Sequence, residues 1–344
     1  MRRRDDTLKP EISADPFGER SRTIARRRLH LLGGRFVFES ESPELLRLVD
    51  AAYADLPRYR LGARTPSFQV GLLLEPSARR GRRRGEPPPL RMLSAAGFAG
   101  GATQPSNFVA VSARAGSAIV SVSRSMLRFP YHTRYELIEF AVFTLAARAQ
   151  RLVSLHAACV GEAGRGLLLM GPTGSGKSTV TLQCVLQGLE FLSEDSVFLA
   201  PGKMLATGVP NFLHVRSESL DWVDGARDRA AIRQSPVIRR RSGIAKFELD
   251  LRETRYRLAR DPLRISAVVF LSPEPAGRGP LLRALPKAEV LRALAFHQAY
   301  AAHQPGWERF SKRVSQLRCY ELRRGRHPAE AVQPLRSLLE FRPK

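Results

Sequence analysis

The sequence predicts an α/β protein in which a core domain follows a smaller N-terminal α+β domain. Length is the first observation, because 344 residues exceed what one domain usually contains. The second is a glycine-rich motif that stands between an apolar run and a helical pattern. The third is composition, since 43% hydrophobic and 26% charged residues are typical of a globular protein and exclude a disordered or fibrous chain.

The first 130 residues predict short elements but contain no motif that indicates chemistry. Residues 1–22 are charged and predict a disordered basic tail. Apolar residues recur at helical spacing over Pro43–Tyr53, which predicts a helix. We expect an α+β domain over residues 23–130, with strands at Leu29–Glu39 and Phe68–Leu74, a charged loop at Ser77–Pro89, and a hairpin of Phe108–Ser112 with Ala118–Ser123.

Residues 131–344 predict the larger domain, which begins with a buried helix over Tyr131–Arg151. Two apolar strands, Leu152–Val160 and Leu167–Met170, flank a glycine turn and predict a hairpin. The further elements predicted are a helix at Ser178–Gln187, strands at Glu190–Leu192, near Met204–Val215 and near Ile265–Leu271, and helices near Lys287–Ala302 and Pro328–Glu340.

A motif typical of phosphate-binding loops follows the second strand of this hairpin directly. It fits the pattern GxxxxGK[ST] in full over Gly171, Pro172, Thr173, Gly174, Ser175, Gly176, Lys177 and Ser178, with Thr179 next in the helix. Glycines let the backbone curl so that N–H groups point at phosphates, Lys177 adds a positive charge, and Ser178 offers its hydroxyl to Mg²⁺. A chance glycine-rich turn would not explain the strand, the Lys-Ser pair and the helix together. We therefore predict that the loop binds ATP with Mg²⁺.

Two adjacent acids follow the next predicted strand. Glu194 and Asp195 come after the apolar pair Phe191–Leu192, so we expect them at the carboxyl end of a strand beside the loop. Phosphoryl transfer needs a carboxylate that holds the metal and a group that handles the acceptor proton. We assign Asp195, with Ser178, to the metal and leave open whether Glu194 or Asp195 is the base. The alternative is a solvated acidic turn.

The order of these pieces resembles one family of kinases. Leu155-His156-Ala157-Ala158 precedes a glycine turn, the loop strand follows, and the acids stand in LSEDSV. This arrangement, over roughly residues 150–220, is similar to the HPr kinase/phosphorylase family, in which a strand that bears His leads by a hairpin into the loop. The resemblance implies a P-loop kinase core of HPr-kinase type with a preceding β-hairpin, and an ATP-dependent phosphotransferase activity.

The resemblance also implies roles for particular residues. It places His156 beside the phosphates, and Lys177 and Ser178 on phosphate and metal. The alternative interpretation of His156 is a buried core histidine. Glu194 and Asp195 match the paired aspartates of the family, but the first acid here is Glu, one methylene longer. The segment Gly208–Arg216 loosely resembles the family segment that approaches the protein acceptor.

Basic residues are the main peculiarity of the composition. The formal net charge is +24, and such a surplus can attract phosphates, nucleic acid or acidic proteins. Most of the arginines are scattered, which favours solvated surface charge. The densest cluster after the loop is Arg239–Arg241 with Lys246. One of these arginines could neutralise charge on a transferred phosphoryl group, and a solvated mobile loop is the alternative.

We therefore expect a kinase that transfers the γ-phosphoryl group of ATP to a hydroxyl, either on Ser of a protein or peptide or on a small molecule. A nucleotide-binding regulatory or scaffold protein without phosphoryl transfer is the alternative. Nucleic acid is disfavoured as a partner, because the sequence has no helicase-like, zinc-finger or aromatic-interleaved basic pattern. A homo-oligomer stays open.

The location expected from the sequence is the cytoplasm. Three separated cysteines, at 159, 184 and 319, indicate neither a disulfide framework nor a zinc site. No secretion signal is visible. The most apolar helical stretch, near Leu137–Ala147, is too short to span a bilayer, so no membrane association is expected.

Overall fold

The computed structural model describes residues 24–75, 86–95 and 97–340. The predicted tail and much of the predicted loop Ser77–Pro89 lie outside these residues. The described part is a mixed α/β protein with two large sheets and one small sheet. We refer to the part built on the first large sheet as the first lobe and to the rest as the second lobe.

The first lobe contains a seven-stranded mixed sheet in the order β1-β2-β3-β7-β6-β5-β4. Its strands are β1 Ala25–Leu31, β2 Gly34–Ser40, β3 Ser67–Glu75, β4 Arg91–Ala95, β5 Phe98–Gln104, β6 Asn107–Ser112 and β7 Ser117–Ser123. The predicted single strand over Leu29–Glu39 is wrong, because Leu32 and Gly33 have φ of +51° and +80° and reverse the chain. The predicted β6–β7 hairpin is confirmed.

Two helical segments cover this sheet. Helix α1, Pro43–Tyr53, starts where the Ser42 hydroxyl accepts a hydrogen bond from the Leu45 N–H at 3.4 Å. The second segment consists of α2 Pro130–His132, a π-helical stretch Thr133–Ile138 and α3 Glu139–Gln150. The predicted helix over Tyr131–Arg151 is thus confirmed, but its buried side chains pack into the core of the first lobe.

The second lobe is built on a nine-stranded sheet. Its main path is β11-β9-β10-β17-β13-β12-β8, with β19 on β17 and β18 on β19. Its strands are β8 Val153–Leu155, β9 Ala158–Glu162, β10 Arg165–Met170, β11 Glu190–Ser193, β12 Val197–Ala200, β13 Leu205–Thr207, β17 Leu263–Pro275, β18 Leu282–Ala284 and β19 Arg318–Arg324. A small antiparallel sheet is formed by β14 Phe212–Val215, β15 Val237–Arg239 and β16 Ala245–Asp250.

Helices pack on both faces of the nine-stranded sheet. They are α4 Lys177–Leu186, α6 Lys287–His297, α7 Trp307–Val314 and α8 Val332–Glu340, while α5 Ala226–Gln234 packs on β16 of the small sheet. Alternate residues of β10 explain the two layers: Leu167 and Leu169 face α4 and α8, whereas Leu168 and Met170 face α6 and α7. Among the described residues, no helix is long and apolar enough to cross a membrane.

The strand prediction Leu152–Val160 is corrected to two strands, because β8 pairs with β12 while β9 pairs with β10 and β11. The predicted hairpin into the loop is confirmed as β9–β10. Helix α5 was missed because Ile232 is its one buried residue, and β19 was missed because its sequence, RCYELRR, is largely polar. The three cysteines are buried and free.

Candidate active site

The glycine-rich loop Gly171–Gly176 connects β10 to α4, as the motif predicts. Gly174 and Gly176 have φ of +87° and +94°, which side chains other than glycine rarely adopt. A Cβ at Gly171 would lie 2.5 Å from the Ser175 hydroxyl. The loop conformation therefore depends on the glycines of the motif, and it leads directly into the N-terminus of α4.

Two polar groups of the loop are turned inward. The Lys177 ammonium donates to the carbonyl oxygens of Gly171 at 2.7 Å and Pro172 at 3.3 Å, and burial lowers the pKa of Lys177. The Ser175 hydroxyl is buried and has no hydrogen-bond partner among the described residues. A buried hydroxyl without a partner is unfavourable, so this loop has the donors that a phosphate oxygen would satisfy.

Glu194 meets the start of α4. Its carboxylate accepts a hydrogen bond from the Ser178 hydroxyl through Oε1. The other oxygen, Oε2, accepts from the His214 backbone N–H at 2.8 Å and lies 3.0 Å from His214 Nδ1. Lys246 Nζ lies 3.7 Å from Oε1. Because β11 runs parallel to β10 with β9 between them, the acid after β11 reaches the loop edge.

Asp195 pairs with Arg240. Burial alone would raise the pKa of Asp195, but the charges of Arg240 and Lys246 lower it to about 2. The backbone oxygen of Asp195 lies 3.2 Å from His156 Nδ1. The adjacent acids therefore have different partners, and the structure brings Glu194 rather than Asp195 to the hydroxyl of Ser178.

His156 lies at this edge with an exposed side chain, so the alternative of a buried core histidine is wrong. Its backbone is held between β8 and β9 by Gln298, which accepts from the His156 N–H at 3.0 Å and donates to its carbonyl at 2.9 Å. Partial enclosure and the charge of Lys177 lower the pKa of His156. A neutral imidazole is thus favoured there.

The predicted basic cluster divides into separate roles. Arg240 and Lys246 face the acids, whereas Arg241 pairs with Glu136 and Arg239 donates to the Gly243 carbonyl at 3.1 Å. Both ends of the cluster belong to the hairpin β15–β16. The alternative of a mobile solvated loop therefore does not describe Arg240 or Lys246, which the hairpin holds against the acids.

His214 is the main residue that the sequence did not reveal. It lies on β14 inside the segment Gly208–Arg216, buried at 6% exposure. Burial alone would lower the pKa of His214, but its hydrogen bonds with Glu194 and Glu248 raise it. Its Nε2 lies 3.0 Å from the Tyr135 hydroxyl, which donates to Glu248 at 2.7 Å. A buried network thus runs from the π-helical stretch of the first lobe to Glu194.

Arg134 completes this network. Its guanidinium pairs with Glu248, and its charge together with the His214 hydrogen bond outweighs burial and lowers the pKa of Glu248 to about 2. The acid at the start of α3, Glu139, behaves in the opposite way, because burial raises its pKa to about 8. The network has no sequence motif, since its members come from α2–α3, β14 and β16.

Glu194, Asp195 and His214 could together hold a metal ion. One ligand atom of each lies within 4.8 Å of the others. Carboxylate oxygens suit Mg²⁺, and the Ser178 hydroxyl beside Glu194 adds a third oxygen donor. The donor set therefore fits a divalent cation next to the loop, and His214 supplies the one nitrogen donor of the three-residue cluster.

Comparisons with known proteins give a weak likeness. No family model matches the chain, and no curated protein matches it. Among solved structures, the HPr(Ser) kinase/phosphatase from Coxiella burnetii matches over 54% of this chain and 88% of that chain, with 11% identity and a TM-score of 0.29. This is a partial, fold-level similarity.

Proposed function

We propose that this chain binds ATP with Mg²⁺ at the glycine-rich loop and transfers the γ-phosphoryl group to a hydroxyl acceptor. The observation that carries the proposal is the bond between Ser178 and Glu194 at the mouth of the loop. It joins a hydroxyl and a carboxylate suited to hold Mg²⁺ beside a loop with inward-facing Lys177 and Ser175. Mg²⁺, when bound, would neutralise charge on the phosphates.

The two acids suit different tasks within this proposal. Asp195 belongs to the three-residue cluster, but only Glu194 also contacts Ser178 at the start of α4, so we propose Glu194 rather than Asp195 as the metal ligand that acts with Ser178. Asp195 is the more exposed acid and its backbone oxygen borders His156, so we propose Asp195 as the group that accepts the proton of the acceptor hydroxyl. Arg240 forms an ion pair with Asp195, and it supplies the positive charge that a transferred phosphoryl group requires.

One observation favours the alternative of a nucleotide-binding protein without transfer. Both acids already have positive partners, because Lys246 and His214 contact Glu194 and Arg240 pairs with Asp195. Cations in these positions could satisfy the carboxylates and leave the nucleotide as a bound ligand. The two proposals share the nucleotide and differ in whether the phosphoryl group leaves it.

Incubation with γ-labelled ATP tests both proposals. The purified protein is added to a lysate of its host, divided into a protein arm and a small-molecule arm, and the label is measured in each. Label in either arm, lost in the Asp195→Asn variant, supports phosphoryl transfer and shows the class of acceptor. ATP binding by calorimetry without label in either arm would contradict transfer and support the alternative.

A further inference from the structure

A groove of about 830 Å³ lies between the two lobes. Four segments line it: residues 61–66 of the first lobe, residues 150–152 at the end of α3, residues 200–203 at the end of β12, and residues 305–309 at the start of α7. None of the candidate active-site residues is among them. The groove is therefore a separate feature that the proposed function does not use.

The charge around the groove has one sign. Arg64, Arg151, Lys203 and Arg309 line it, and no acid does. Lys203 donates to the Leu61 carbonyl at 3.1 Å, while within the described ranges none of the three arginines forms an ion pair. The positive N-terminal end of α7 also opens on the groove at Gly306. Positive charges that face one space repel one another, and an anion in that space would relieve the repulsion.

The lining between these cations is apolar. Leu61, Pro66, Leu152, Pro201 and Pro305 supply it. A site with an apolar lining and a few charged groups is typical of small organic ligands, because the apolar surface gives affinity and the charges give orientation. The groove therefore fits a molecule with an apolar body and an anionic group better than a bare inorganic ion.

The backbone around the groove is held by packing and hydrogen bonds. Gln304 accepts from the Ser154 N–H at 2.8 Å and donates to its carbonyl at 3.1 Å, which fixes the start of α7 beside β8. Gly306 has a φ of +92°, and a Cβ there would lie 3.4 Å from both Pro201 and Val153. The groove walls are thus preformed, which lowers the entropic cost of binding.

We propose that the groove between the lobes binds a small organic anion that has an apolar body and a carboxylate, sulfonate or phosphate group. Arg64, Arg151 and Arg309 hold the anionic group. The binding does not depend on phosphoryl transfer. A ligand there contacts both lobes at once, because Arg64 belongs to the first lobe and Arg309 to α7.

Fluorescence titration with 8-anilinonaphthalene-1-sulfonate tests the proposal, since this probe joins an apolar body to an anionic group. The double variant Arg64→Gln/Arg309→Gln should bind the probe roughly tenfold more weakly, a loss of about 1.4 kcal/mol. Arg114→Gln/Arg313→Gln is the matched control, because it removes two exposed arginines outside the groove, one of them on α7. It should bind the probe like the wild type.

Displacement identifies the chemistry of the ligand. Octanoate and octyl phosphate, tested in separate arms, should displace the probe, and the stronger of the two indicates the preferred anionic group, whereas octanol should not displace it. Lys177→Ala should leave probe binding unchanged, which separates this site from the loop. Equal binding by the two double variants, or equal displacement by octanol, would overturn the proposal.

Discussion

Glu194 and Asp195 are neighbours in the chain, yet the structure gives them opposite surroundings. The side chain of Glu194 is 2% exposed and is held by Ser178, His214 and Lys246. The side chain of Asp195 is 30% exposed and is held by Arg240, which is equally exposed. Two adjacent acids in a sequence can thus become an inner, fixed carboxylate and an outer, accessible one, because tertiary contacts with different segments surround each of them.

Substitutions of Glu194 and Asp195 should have different effects on phosphoryl transfer and on ATP affinity. Asp195→Asn should lower phosphoryl transfer by roughly 10²-fold or more with ATP affinity nearly unchanged, because it removes the proton acceptor. Glu194→Gln should lower transfer by a similar factor and also remove the dependence of ATP affinity on Mg²⁺, because it removes a metal-side charge. Initial rates and calorimetry at several Mg²⁺ concentrations measure both effects. Identical Mg²⁺ dependence in the two variants would contradict the division of roles.

Substitution of Arg240, the ion-pair partner of Asp195, tests the role proposed for Asp195. Arg240→Gln should lower transfer by roughly tenfold, because a positive charge near the reacting group is lost. It should also raise the pKa of Asp195 from about 2, which moves the acidic limb of the pH–rate profile to higher pH. Arg239→Gln is the control, since Arg239 contacts the Gly243 carbonyl instead. A similar loss in both variants would show that Arg240 has no particular role.

Substitution of Tyr135 tests whether the hydrogen-bond network of Tyr135, Glu248 and His214 positions Glu194. Tyr135→Phe removes the contacts to His214 and Glu248, and should lower transfer by roughly threefold and stability by about 1 kcal/mol. Tyr59→Phe removes a buried hydrogen bond of 2.7 Å to the Ala259 carbonyl and is the matched control. It should cost similar stability and leave transfer unchanged. Equal rates for the two variants would exclude a positioning role.

Glu139 is expected to affect the pH dependence of stability rather than the reaction. Its folded pKa of about 8 exceeds the ordinary 4.5, so the folded state binds the proton more tightly than the unfolded state does. The contribution of Glu139 to the free energy of unfolding is fully present below pH 4.5 and is lost as the pH rises through about 8. Glu139→Gln should therefore stabilise the protein by roughly 1–3 kcal/mol at pH 9 and little at pH 4.5. Urea unfolding at both pH values measures this, and a parallel pH dependence of variant and wild type would contradict it.

The sequence revealed the parts of the site that are local. The glycine pattern, Lys177 and Ser178 predict a loop between a strand and a helix, because each residue acts on its own neighbours. Helix α1 was equally predictable, since Pro43 and apolar spacing mark its start and its face.

The remainder of the site depends on contacts between distant segments. His214 and Tyr135 lie 79 residues apart and meet only when β14 packs beside the π-helical stretch. The groove likewise joins four segments that share no local pattern. Spacing within a segment cannot predict such contacts, because they depend on how the sheets and helices pack.

The most direct test of the central claim is the calorimetric titration of ATP in the presence of Mg²⁺ against the wild type and Lys177→Ala. Lys312→Ala, which removes an exposed lysine of α7, is the control for a general loss of charge. If the glycine-rich loop binds the nucleotide, Lys177→Ala should weaken ATP binding by roughly tenfold or more while the variant stays folded. Unchanged ATP affinity in folded Lys177→Ala would contradict the assignment of the loop as the nucleotide site.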